Sequence, residues 1–244
     1  WAQNATPVHK GFLKALETYC RLNKAKLLVV PGRYKNPTSR WEDSQENKQY
    51  WDEALVPYLY NQRTKVNDNL MLVADVCIQP TAVFPLSGME SLSYSESAVF
   101  PHPKLELRCV PTPQNKMAKI ITTTGAVTVK NYTDTKMGKK GDFHHVIGAV
   151  VLERDGATFH LRHLNARKDG AFCDLNTAYY PTGESAPAGS YSALVLGDVH
   201  VGAQDPDVLS ATFKQLIPLL DPKTLVLHDL FDAVEIKTWD RLTW

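Results

Sequence analysis

The sequence predicts an α/β protein, with an N-terminal mixed α/β region, a β-rich middle, and then the opening β-α-β of a further sheet. Three observations predict it. Helical and strand-like apolar periods alternate early in the chain, short strands punctuated by proline and glycine crowd the middle, and a strand-helix-strand pattern stands near the end. With 244 residues, 43% of them hydrophobic and 22% charged, the chain can bury a core without cross-links.

In "ATPVHKGFLKALETYCRLNKAK", Thr6 is the expected N-cap, Pro7 opens the helix, and Phe12, Leu13, Leu16 and Cys20 share one face. "KLLVVPG" then reads as a short buried strand closed by Pro31 and Gly32. Trp51, Ala54, Leu55, Tyr58 and Leu59 return to helical spacing, although Pro57 strains an uninterrupted helix. "NLMLVADVCI" (69–78) is a second buried strand. "KLELRCV", "KIITTTGAVTV", "HVIGAVVLE" and "TFHLRHL" supply the strands of the middle region.

"YYPTGESAPAGSYS" (179–192), dense in Pro, Gly and Ser, is the expected linker between an N-terminal domain at 1–180 and a second domain at 191–244. "SALVL" is then a strand. Asp205 caps and Pro206 starts a helix with Leu209, Phe213, Leu216, Ile217 and Leu220 on one face, and "TLVL" is a strand expected to run parallel to the first.

Composition excludes little. The 27 basic and 26 acidic side chains leave no global pull toward polyanions or membranes, so an anionic partner must be held by a local patch. Cys20, Cys77, Cys109 and Cys173 are far apart and form no C-x-x-C pair, which reads as reduced core thiols and a cytoplasm-like setting. No stretch approaches the roughly 18 apolar residues of a membrane span.

In a parallel sheet, ligands bind beyond the carboxyl ends of the strands. Both strand ends of the β-α-β carry ligand-type residues: Gly197, Asp198 and His200 after the first, and His228, Asp229 and Asp232 in "LHDLFD" after the second. If the strands are neighbours, Asp198 and Asp229 emerge side by side and repel unless a cation or proton lies between them. Carboxylate oxygen with imidazole nitrogen suits manganese, iron or zinc.

Strand-G-D-x-H, helix, strand-x-D-x-x-D resembles the first two blocks of the calcineurin-like metallophosphoesterases. The resemblance implies that Asp198 and His200 bind one metal, that Asp229 bridges two, and that these three are catalytic. It places Asp232 and His228 just outside the ligands, an N-cap role for Asp232 being equally open, and His228 departs from the glycine usual there. The ions it implies are divalent, manganese foremost, with magnesium, iron or zinc as alternatives. A pair of such ions about 3.5–4 Å apart holds the attacking and leaving oxygens of a phosphoester.

More narrowly, "RYKNPTS", "KIITTTGAVTVKNYTDTKMGKKGDFHH" and "VLHDLFD" are similar to the pre-early DNA-transfer proteins of T5-like bacteriophages. That resemblance implies host DNA degradation and phage DNA transfer in the cytoplasm of an infected bacterium, with DNA and a host or phage protein as partners. The further ligand blocks of the metallophosphoesterases lie downstream of the second Asp, and the 12 residues after Asp232 contain no His or Asn. The ligand set in this sequence is therefore expected to be incomplete.

Other candidates lie upstream. "KNYTDTKMGKKGD" reads as a flexible loop with Lys130, Lys136, Lys139 and Lys140 around Tyr132, suited to phosphate contact, and a plain solvated loop explains it too. Arg33, Tyr34 and Lys35 follow a strand end and could touch a phosphate. His160 and His163, three apart in a strand, face opposite ways, and with His144 and His145 they read as surface or core histidines. The expected function is a metal-dependent phosphodiesterase or DNase. Its competitors are a non-catalytic DNA- or host-protein-binding module that keeps part of the metal site, and a small-molecule phosphatase.

Overall fold

A computed structural model describes residues 1–33, 49–113 and 115–230. Tyr34, Lys35 and Asp232 lie outside them. The fold is mixed α/β, and the described residues divide into two compact units. The first comprises Trp1–Asp174 and Tyr179–Ser185; the second comprises Leu175–Ala178 and the chain from Ala186 on.

In the first unit, β1 (Ala2–Gln3) pairs in parallel with β2 (Pro31–Gly32), and α1 (Lys10–Leu22) lies between them in sequence. Thr6 is not the cap of α1. Val8 bridges Thr128 and the His9 N–H donates to Val127 O, so extended backbone persists to residue 9 and the helix starts after it. His9 takes the capping role, its Nδ1 accepting from Phe12 N–H at 3.2 Å. The expected strand in "KLLVVPG" shrinks to its end, and the segment around Pro57 is one 3-10 helix, Glu53–Tyr58, because proline has no N–H for an α-helical bond. The inner face of α1 packs Phe12, Leu16 and Tyr19 against Val127, Leu164, Phe172 and Tyr179.

Five strands follow: β3 (Arg63–Asn67), β4 (Leu70–Val73), β5 (Ser97–Phe100), β6 (Leu107–Val110) and β7 (Lys119–Thr123), in the order β3-β4-β5-β7-β6. The three central strands are parallel and the two edges antiparallel. Every residue of "LMLV" and "SAVF" is buried because both sheet faces are covered. Met71, Val73, Ala98 and Phe100 pack with Ile78 and Leu86 on one face. Leu70, Leu72 and Val99 pack on the other, against Val150, Leu152, Phe159 and Leu161 of a hairpin formed by β8 (Gly148–Asp155) and β9 (Thr158–Asn165).

"KNYTDTKMGKKGD" is not a loop. Residues Lys136–His144 form helix α2, capped by Thr135, and Tyr132 is buried beneath it. The glycines obscure this helix in the sequence, since glycine disfavours helix by roughly 1 kcal/mol. Packing requires them: a β-carbon on Gly138 would stand 2.1 Å from Thr133 O, and one on Gly141 would stand 2.5 Å from the Tyr132 ring. The thiols also depart from expectation. All four are free, but Cys77 and Cys109 are exposed and the other two only half-buried. Cys109 faces outward on an edge strand, where a pleated strand sends alternate side chains to solvent.

The second unit contains β13 (Leu194–Asp198) and β14 (Leu225–His228), which pair in parallel; the short strands β10 (Phe172–Asp174), β11 (Thr177–Tyr179) and β12 (Ser185–Pro187) precede them. Between β13 and β14 run α3 (Pro206–Ala211), a π turn over Thr212–Leu216, and α4 (Ile217–Leu220). Asp205 Oδ1 accepts from Asp207 and Val208 N–H, as the cap signal predicts. The π turn ends where Ile217 N–H reaches back to Thr212 O, just before Pro218, which has no N–H to continue an α pattern. These strands are less buried than their composition predicts. No described residue between 186 and 230 is buried, and Val195 is 65% exposed. Two strands and one helical segment cannot cover both faces of a parallel sheet.

Among the described residues no helix is long and apolar enough to cross a membrane. Two buried histidines set a pH dependence. His102 Nδ1 accepts from Lys104 N–H at 3.0 Å while Nε2 faces Gln79 O, and His145 sets Nδ1 against Tyr132 Oη and Nε2 against Thr128 O. Both arrangements suit the neutral ring, and burial pushes both residues down to about 4. Unfolded histidine titrates near 6.5, so below that pH only the unfolded chain gains these protons. The contribution of these two histidines to stability is expected to be level above about pH 6.5 and to fall between there and about pH 4, by roughly 2–3 kcal/mol per histidine. Urea midpoints at pH 7.5, 5.5 and 4.5 check this, and equal midpoints would refute it. Gly141→Ala is expected to cost about 1–3 kcal/mol in the same assay through its clash with Tyr132.

Candidate metal centre

Two local features bring the strand-end residues together. The first is register. Leu194 and Val195 pair with Leu225 and Val226, and then the register shifts so that Asp198 lies opposite His228. This bulge near Gly197 spaces the carboxyl end of β13 against β14. The second is a backbone ladder that continues past both strands: Val199 N–H to His228 O at 3.1 Å, His200 N–H to Asp229 O at 3.1 Å, and Val201 N–H to Leu230 O at 2.9 Å. The loops therefore leave the sheet side by side.

Asp198, His200 and Asp229 converge there, each offering a ligand atom within 4.8 Å of the others. His200 Nε2 stands 3.5 Å from Asp229 Oδ2 and 3.9 Å from Asp198 Oδ2. The other oxygen of Asp198, Oδ1, pairs at 2.7 Å with His228 Nδ1. That bond and the Asp198 charge, joined by Asp229, raise the His228 imidazole above its ordinary range. All four side chains are open to solvent, His200 least so at 33%.

Backbone conformation sharpens the geometry. His200 has φ 45° and Asp229 φ 40°, both in the left-handed region. Asp and His tolerate that region better than most residues, yet each such residue costs on the order of 1 kcal/mol. Ala5, Lys24, Tyr94, Leu175 and Asp221 share that region, so the backbone conformation shapes the two loops without by itself marking a site. Gly197 is not crowded: a β-carbon there would meet nothing within 4 Å.

Two carboxylate oxygens and one imidazole nitrogen form a donor set that fits a divalent cation such as manganese, iron or zinc. Among the described residues no other group of three such side chains comes this close, so the described donors suit one ion. The remaining described sequence candidates belong to the first unit and are not members of this cluster. His145 and His163 are structural, His163 bonding Thr122 Oγ1 at 2.9 Å, while His160 is exposed on the hairpin. Arg33 is half-buried, its carbonyl accepting from Gln49. Lys130 pairs with Asp142 at 3.6 Å, whereas Lys136, Lys139 and Lys140 project from α2. What the sequence alone did not reveal is the His228–Asp198 bond, for which the only signal was a histidine where the resembled family has glycine.

The fold and the site define a mixed α/β protein with an Asp-His-Asp cluster at the carboxyl ends of parallel strands. The chain is similar to Protein A1 of Escherichia phage T5, with 30% identity over 241 residues, covering 94% of this chain and 43% of that protein. It thus spans less than half the length of that curated relative, and the likeness supports a bacteriophage origin. No protein-family model matches the chain, and no solved structure is similar to it.

A metal titration checks the cluster. Manganese is expected to bind with one dominant site by calorimetry, and Asp198→Ala or Asp229→Ala is expected to weaken it at least tenfold, since each removes a charged donor. His228→Ala is expected to have a smaller effect, because it only orients Asp198. Equal affinity in all these variants would place the ion elsewhere.

Proposed function

We propose that this chain forms part of a metal-dependent phosphodiesterase of a bacteriophage, acting on DNA in the cytoplasm of an infected bacterium, in host DNA degradation and phage DNA transfer. The observation that carries the proposal is the convergence of Asp198, His200 and Asp229 where two parallel strands end. The G-D-x-H and D-x-x-D blocks of the resembled metallophosphoesterases, and the likeness to a phage protein, support it. The second unit would be the opening of the metallophosphoesterase domain, and the first would position nucleic acid or a protein partner.

In this account Asp198 and Asp229 contribute the negative charge that holds a divalent cation, manganese foremost, and His200 completes the donor set. Such an ion, when bound, polarises a phosphoryl oxygen and lowers the pKa of a water molecule. His228 orients the Asp198 carboxylate through Oδ1, leaving Oδ2 turned toward His200. The exposure of all four side chains keeps the cluster open to a long substrate.

A second reading has an observation in its favour. The described donors suit one ion, and His228 can itself offset the Asp198 charge, which fits a binding module without catalysis.

Cleavage of linear and plasmid DNA by the full-length natural protein separates the readings. Manganese-dependent cleavage is expected, with Asp198→Ala and Asp229→Asn each lowering it at least about a hundredfold. Absence of cleavage with manganese, magnesium, iron or zinc favours the binding module. Turnover of nucleotides with long DNA left intact favours a small-molecule phosphatase.

A further inference from the structure

Helix α2 carries a pattern that the metal centre does not use. Lys136, Lys139, Lys140 and Phe143 stand at positions i, i+3, i+4 and i+7, a single helix face, and all four are exposed. Phe143 is 81% exposed. The opposite face is fixed inward by Gly138 and Gly141, whose missing β-carbons let the helix lie on Thr133 and Tyr132. Lys130 falls outside the stripe, paired with Asp142.

The stripe continues into neighbouring groups of the same unit. The His144 ring stands edge-on to Phe143 at a centroid distance of 5.0 Å. The Lys104 ammonium lies 5.3 Å from the centroid of the Phe84 ring, and that ring is 67% exposed. Lys104 is held in place by Val83 O and by Glu106 at 3.8 Å. The Val146 N–H donates to Pro103 O at 3.0 Å, which brings the segment that carries Lys104 beside the end of α2.

We infer that this surface binds single-stranded nucleic acid, with Lys136, Lys139 and Lys140 contacting phosphates and the Phe143 and Phe84 rings receiving bases. Three like charges on one helix face repel, and an exposed phenylalanine is costly in water. A polyanion with aromatic bases relieves both. Duplex DNA offers no free base face, so stacking selects a single strand. From Lys136 to Phe143 the helix advances roughly 10 Å, close to three stacked nucleotides at about 3.4 Å each. Lysines present point charges without the paired donors of arginine, so binding is independent of sequence. An interfacial membrane helix segregates its lysines from its apolar stripe, whereas here Phe143 shares the lysine face.

The inference rests on nucleic acid being the substrate class proposed above, and it is tested with the metal centre silenced so that the two can fail separately. Fluorescence anisotropy of fluorescein-labelled dT15 with the full chain in EDTA is expected to show saturable binding. Phe143→Ala should weaken it roughly five- to hundredfold. The combined Lys136→Gln, Lys139→Gln and Lys140→Gln variant should flatten the slope of log affinity against log salt by about 2. These side chains are exposed, so circular dichroism and unfolding midpoints should match the parent, and Phe143→Leu, which keeps the apolar bulk without the ring face, should weaken dT15 binding like Phe143→Ala. Binding that ignores Phe143→Ala, stronger binding to duplex than to dT15, no binding at micromolar protein, or a preference for phosphatidylglycerol vesicles would each overturn it. Binding of dT15 by a natural protein that cleaves nothing would retain this surface while removing the nuclease.

Discussion

Two acidic side chains held close at the ends of neighbouring parallel strands are the constraint on which the functional account depends. Ladder hydrogen bonds past β13 and β14 fix both loops, so Asp198 and Asp229 cannot separate without breaking backbone pairs. Carboxylate oxygens within 4.8 Å repel by about 1 kcal/mol in water and about 3–4 kcal/mol at an effective dielectric of 20. Their exposure puts this pair toward the lower value. The residues facing them are histidines, His200 toward both carboxylates and His228 on Asp198. A cation between the carboxylates would remove that repulsion.

Much of this arrangement was legible in the sequence because the governing rules are local. Asp205 and Pro206 announce a helix, the apolar runs on either side announce strands, and the βαβ rule makes those strands parallel. Asp198, His200 and Asp229 then fall at the carboxyl ends by counting alone. The register shift before Asp198 and the positive φ of His200 and Asp229 were not legible, since neither leaves a compositional mark. Nor was the bond from His228, which depends on that register.

Elsewhere the local signals conflicted with tertiary packing. Thr6-Pro7 reads as a helix start, but pairing of Val8 with Thr128 holds the chain extended until His9. The glycines of "KMGKKGD" read as a loop, but they are what lets α2 lie on Tyr132. The apolar composition of β13 and β14 predicts burial, which two strands and one helical segment do not provide. In each case the missing information is which other part of the chain lies alongside. The same consideration applies to α2, where the outward lysine and phenylalanine face becomes visible only once the inward glycine face is known.

Every functional step proposed for this chain requires Asp198, His200 and Asp229 to hold a cation together. The most direct measurement is anomalous diffraction from crystals of the protein grown with manganese. An anomalous peak bonded to one oxygen of each aspartate and to His200 Nε2 is expected, with His228 still on Asp198 Oδ1. Density in which the carboxylates turn away from one another, or a peak that avoids this cluster, would contradict it.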